Sequence, residues 1–172
     1  NMGKEHKDPI YQHGSKRGYS FIRYAGLYDF KGILKDSKSK LESEKYDIYD
    51  KQHDEKISSS GKDMKIVLQG SKEVTEYVKF EMEITIIIMG QIDVMVNKKR
   101  VQKGNLEFRV MSKMSKNHSG YHKTSVFKKS TLGNILKNFY EKFIIQEELS
   151  DREDVLFDHG KDLLDAIRKR LL

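Results

Sequence analysis

Between residues 78 and 88 every even position is apolar: Val78, Phe80, Met82, Ile84, Ile86 and Ile88. Lys79, Glu81, Glu83 and Thr85 hold the first odd positions between them. A helix would scatter the even set around its circumference, whereas a strand puts all of it on one face. The run therefore predicts a half-buried antiparallel strand, with one side toward a core and one toward solvent. Gly90-Gln91 interrupts the alternation and predicts a bulge or tight bend, after which Ile92, Val94 and Val96 continue the pattern. Met64, Ile66 and Leu68 form a similar strand upstream, and Leu106, Phe108 and Val110 form one downstream. Tyr46 to Tyr49 opens a short edge strand. Ser58 to Gly61, Asn97 to Arg100 and Lys103 to Asn105 read as turns.

Helical spacing flanks these strands. Phe30, Ile33, Leu34 and Leu41 share one face over 29–44, with Asp29 as N-cap. Leu132, Ile135, Leu136, Phe139, Tyr140 and Phe143 make a second stripe, capped by Ser130 or Thr131. Ser150 to Glu153 has capping-box spacing. It opens a final helix carrying Val155, Leu156, Leu163, Leu164, Ile167 and Leu171, in which Gly160 costs about 1 kcal/mol relative to alanine. Residues 1–18 read as a flexible or extended N-terminal arm, and 19–172 as a single α+β domain. The expected fold is an antiparallel sheet of about five strands in a meander, with one N-terminal and two C-terminal helices packed on its even-numbered face. Phe80, Ile84, Ile86 and Leu136 should lie in the core. This order resembles the helix-grip arrangement of START-like lipid and small-ligand carriers. That likeness implies an apolar small molecule held between the sheet and the C-terminal helices.

Composition narrows the function classes. A chain of 172 residues with 37 % hydrophobic residues can bury a core. It contains no cysteine, which excludes disulfides, thiolate metal sites and cysteine nucleophiles. No apolar run approaches the roughly 18 residues of a membrane span. The residues after Met2 are polar and show no apolar leader, so a cytoplasmic protein is expected. No nucleophile elbow and no phosphate- or dinucleotide-binding glycine pattern occurs, so neither a catalytic residue nor a cofactor is expected. His118 and His122 flank Ser119-Gly120, a loop signal, and His53 lies beside Asp50 and Asp54; surface polar residues, not a metal site, are the expectation at both. Glu81 and Glu83 read as a solvated strand face.

Two features suggest partners. Arg17-Gly-Tyr-Ser-Phe-Ile-Arg-Tyr24 resembles the aromatic strand of RNA-recognition modules, which implies base stacking on Tyr19 and Phe21 beside Arg17. The net charge of +7 is uneven: 98–129 carries ten basic residues and one acid, while 141–165 carries nine acids and three bases. Lys98, Lys99 and Arg100 at a turn could reach phosphates, so nucleic acid or another anionic partner is one expectation.

The second feature is the loss of alternation at Ile86-Ile-Ile-Met89. Ile87, Met89, Met95 and Met111 fall on the solvent side of the strand pattern, with Val67 beside them. An exposed cluster of this kind marks an interface. The leading expectation is a non-catalytic binding or assembly module that forms a homodimer. Nucleic-acid binding and a helix-grip-like carrier are the alternatives.

Overall fold

A computed structural model of the chain describes residues 9–13, 20–75, 78–116 and 145–172. Six strands and two helices occur among them: β1 (Pro9–His13), β2 (Ser20–Tyr28), α1 (Phe30–Ser43), β3 (Asp47–Ser58), β4 (Gly61–Glu73), β5 (Val78–Val96), β6 (Lys99–Lys116) and α2 (Ile145–Arg168). All strand pairs are antiparallel, in the order β3-β4-β5-β6. At the far edge, β6 is long enough to hold two strands end to end. β2 pairs with its residues 102–110 and β1 with 112–115.

The meander from β3 to β6 matches the expected topology. The first two strands do not extend it, because they cross over to the opposite edge, beside β6. Pro9–His13 lies inside the expected arm and is a strand. Lys103 to Asn105 is not a turn; it runs through β6, where Gly104 sits opposite the irregularity in β5. The helix expected over Leu132 to Phe143, including Leu136, lies outside the described residues. The final helix already includes Ile145, so Ser150 is inside it and does not cap it.

The alternation of β5 decides the core. Val78, Phe80, Met82, Ile84, Ile86 and Ile88 are all buried, and register pairs them with even positions of β4 and β6. Ile86, for example, lies between Ile66 and Phe108. Both helices lay their buried side chains on this face: Ile33 and Leu41 from α1, and Leu156, Leu163, Leu164 and Ile167 from α2.

The helix ends are built from local hydrogen bonds. Asp29 caps α1 by accepting from the Gly32 N–H at 3.0 Å. At the other end Lys45 takes a left-handed conformation, φ 62°. The Lys45 and Tyr46 amides then donate to the Glu42 and Leu41 carbonyls, a Schellman closure. That reversal turns Tyr46 inward and starts β3. The last residues clamp the end of α2 to α1 and to β2. The Arg170 guanidinium donates to both Asp36 oxygens at 2.7 and 3.0 Å, and the Leu172 amide donates to the Leu27 carbonyl at 2.9 Å.

β3 is the exposed edge of the sheet. Its sequence carries Asp47, Asp50, Asp54 and Glu55, and its register shifts between Asp50 and Gln52. Charge and a bulge both discourage edge-to-edge pairing with another chain. A partner is therefore more readily accommodated on a face of the sheet than along this edge.

Candidate interaction surface

Between Met89 and Ile92 the pairing of β5 with β6 slips by one residue, as the Gly90-Gln91 signal predicted. Gly90 adopts φ 64°, the glycine-favouring conformation of such a bulge. The extra residue reverses which face each side chain takes. Ile92 and Val94 therefore do not continue the buried even face. They pair with Lys103 and Val101, on the side where Met89 pairs with Asn105. Met95 moves to the opposite side, across from Arg100.

The four residues expected at a dimer interface are thus divided. Ile87, Met89 and Met111 share the odd face, and Met95 does not. Met89 is 55 % exposed and Ile87 is half-buried. Met111 pairs with Glu83, and the Thr85–Arg109 pair separates it from the Ile87 row. Val67 lies on the same face and is buried. The strand Ser20–Tyr28 lies in the plane of the sheet beside β6.

Ion pairs occupy the rest of this face. Arg23 donates to Glu107 at 2.9 Å, and Arg109 also bonds Glu107. Burial raises the Glu107 pKa, but the hydrogen bonds from Arg109 and Arg23 outweigh it and hold the carboxyl below its usual range. Lys51, at the β3 bulge, donates to Glu83 at 2.6 Å. Next to Met89 lies an open depression of about 650 Å3. Ala25, Gly26, Gly90 and Gly104 line it, together with Asp63 and Lys103.

The nucleic-acid residues are also separated. Arg17 and Tyr19 lie outside the described residues. Phe21 is exposed on β2, and the Arg23 guanidinium sits 4.9 Å from the centre of its ring, so a base stacking there must share or displace that contact. Lys98 and Lys99 lie at the β5–β6 turn, where Asn97 and Lys98 have positive φ, and Arg100 is bonded to Asp93. Phe21 pairs with Arg109, ten positions along β6 from Lys99. At about 3.3 Å per residue the two groups are roughly 33 Å apart.

One polar cluster has no signature in the sequence. The His159 Nε2 lies 3.1 Å from Glu44 Oε2, and its Nδ1 lies 3.1 Å from the Tyr46 hydroxyl. A carboxylate only accepts, so Nε2–H donates to Glu44 and Nδ1 accepts from Tyr46 O–H. Burial lowers the His159 pKa and raises that of Tyr46; Glu44 opposes the first shift and adds to the second. Lys72 sits over the Tyr46 ring, and Lys40 and Asp162 complete the charged surroundings. The cluster ties α2 to the junction of α1 and β3. Tyr46 and His159 are 113 residues apart, so no local spacing could have signalled it.

This cluster sets a pH dependence. Folded His159 takes up a proton less readily than an unfolded histidine of pKa about 6.5. Stability is therefore fully present above that value and falls as pH drops toward the lower folded pKa. Thermal midpoints measured from pH 7.5 to 5.0 should fall more steeply for the parent than for His159→Gln. Parallel curves would show that His159 does not titrate in this way.

Among the described residues, no helix is long and apolar enough to cross a membrane. Comparison with known proteins found no matching family model, no matching curated protein and no matching solved structure.

Proposed function

We propose that the chain is a non-catalytic binding module that pairs with a second copy of itself through the odd face of its sheet. One observation carries this reading. On the central strand β5, the even side chains from Val78 to Ile88 are covered, while Ile87 and the protruding Met89 end the odd face in apolar surface. Covering them with a partner removes that surface from water, at about 25 cal/mol per Å2. Methionine suits such a contact because its thioether chain adapts to irregular gaps. A two-fold arrangement lets one patch serve both partners.

Nucleic-acid binding has less support, because the aromatic and basic groups it needs are far apart along β6. A helix-grip carrier has less support too: among the described residues the even face is filled by Ile33 and Leu41 of α1 and by Leu156, Leu163 and Ile167 of α2, all buried.

Sedimentation at micromolar concentration should show twice the 20.2 kDa chain mass. Ile87→Lys combined with Met89→Lys should return it to a single chain. A parent protein that sediments only as one chain overturns the reading.

A further inference from the structure

Resting on that self-association, we infer the orientation of the two copies from one transverse row of the sheet. The register aligns Asp54, Lys65, Ile87, Glu107 and Arg23 across β3, β4, β5, β6 and β2 in turn. The row reads acidic, basic, apolar, acidic, basic, so its charges reverse sign about Ile87. Strands about 4.8 Å apart make the row roughly 19 Å long.

Two sheets packed face to face can be related by a two-fold axis lying between them. If the axis runs along β5, β6 of one copy faces β4 of the other, and β2 faces β3. Ile87 then meets Ile87, Lys65 meets Glu107, and Arg23 meets Asp54. Every charge in the row finds its opposite. If the axis runs across the strands instead, each strand faces its own copy, and Arg23 meets Arg23, Glu107 meets Glu107, Lys65 meets Lys65. The row thus selects the axis along β5.

The side chains suit this role. Arg23 is 58 % exposed beyond its bond to Glu107, and Lys65 and Asp54 are both exposed. A guanidinium has five N–H donors, so contact with Glu107 in its own chain leaves others for a partner carboxylate. Face-to-face sheets lie about 10 Å apart with strands within about 30°, a gap that arginine and lysine can bridge. The same axis limits the contact. It sets every odd-face residue of β5 against its own copy, so an interface extended past Thr85 would bring Glu83 onto Glu83. The contact is therefore confined to the Ile87–Met89 end. Oppositely charged rows of this kind set register and exclude wrong pairings more than they add affinity.

The test uses charge reversal and mixing. Asp54→Lys alone and Arg23→Glu alone each place like charges together twice per dimer. Each should weaken self-association at least about tenfold, equivalent to about 1.4 kcal/mol. Mixing the two variants should restore association. The Asp54→Lys side chain of one copy then faces the Arg23→Glu side chain of the other, and the unaltered Arg23 and Asp54 still face each other across the axis. The chain has no cysteine, so a single Ile87→Cys should cross-link to itself under mild oxidation, while Met111→Cys, two rows away, should not. If the protein associates but neither Asp54→Lys nor Arg23→Glu alone weakens it, the orientation is wrong and self-association stands, because an axis across the strands sets each of these residues against its own copy in parent and variant alike. If the parent does not associate at all, both fail.

Discussion

Replacing Ile86 by alanine is expected to destabilise the fold by about 2–5 kcal/mol. Ile86 is completely buried in the middle of β5, and the residues paired with it on either side, Ile66 and Phe108, are buried as well. Truncation removes apolar atoms from a site enclosed by neighbouring strands and covered by helices. Partial relaxation leaves a cavity whose cost grows by about 24 cal/mol per Å3. For a domain of this size each kcal/mol lowers the thermal midpoint by about 2–4 °C. Ile87 is the control, since it is the same residue type one position along, half-buried on the other face. Ile87→Ala should cost clearly less when both variants are measured at concentrations where the chain is single. Equal losses would mean that the two faces of β5 are not as distinct as its alternation implies.

The face assignment was legible because period two needs only local information. The side chains of a strand alternate whatever the strand pairs with, so even positions of β4, β5 and β6 could be read from the sequence before their partners were known. The first turn of α1 was legible for the same reason, since Asp29 caps an amide three residues away. The bulge at Gly90 was also visible, but its consequence was not. A single extra residue exchanges the faces of everything beyond it, so Met95, on the same parity as Met89, ended on the other side. Pairing across the chain was hidden altogether. Nothing near Ser20 marks β2 as a partner of β6, where Ser20 meets Val110. Nothing near Ile87 shows that Asp54 and Arg23 share its row. The same holds for His159, whose partners Glu44 and Tyr46 come from the other side of the whole sheet in sequence. Ser150 to Glu153 has the spacing of a cap yet lies inside α2, because capping residues are tolerated inside a helix whose stability comes from packing.

Gly61→Ala is expected to be the most damaging of the glycine substitutions near the candidate interface. Gly61 follows the Ser59-Ser60 turn between β3 and β4, with φ 127°, a conformation that residues with a side chain rarely adopt. Holding alanine there costs about 1–3 kcal/mol. A Cβ at this position would also lie 2.7 Å from the Gln91 carbonyl oxygen and 2.8 Å from the Gly90 carbonyl carbon. Both are backbone atoms of the β5 bulge, so neither can rotate away, and forced overpacking of this kind adds about 1–3 kcal/mol. Gly90 provides the contrast. It too has a positive φ, but the nearest atom to a Cβ there is the Ser60 carbonyl oxygen at 3.5 Å, an ordinary contact. Gly90→Ala should therefore carry only the left-handed penalty of about 1–2 kcal/mol. Asparagine, which tolerates that conformation, should cost less still. Denaturant unfolding of the three variants gives the order directly. Should Gly61→Ala prove no worse than Gly90→Ala, the turn does not press on the bulge in solution. The turn and the bulge act as one unit, because Asp63, two residues after Gly61, accepts the Gly90 N–H at 2.7 Å. That bond fixes the residue at which β5 changes faces, and hence places Met89 beside Ile87 and apart from Met95. A variant that shifts the bulge should therefore weaken self-association as well as stability, even though neither glycine has a side chain to touch a partner.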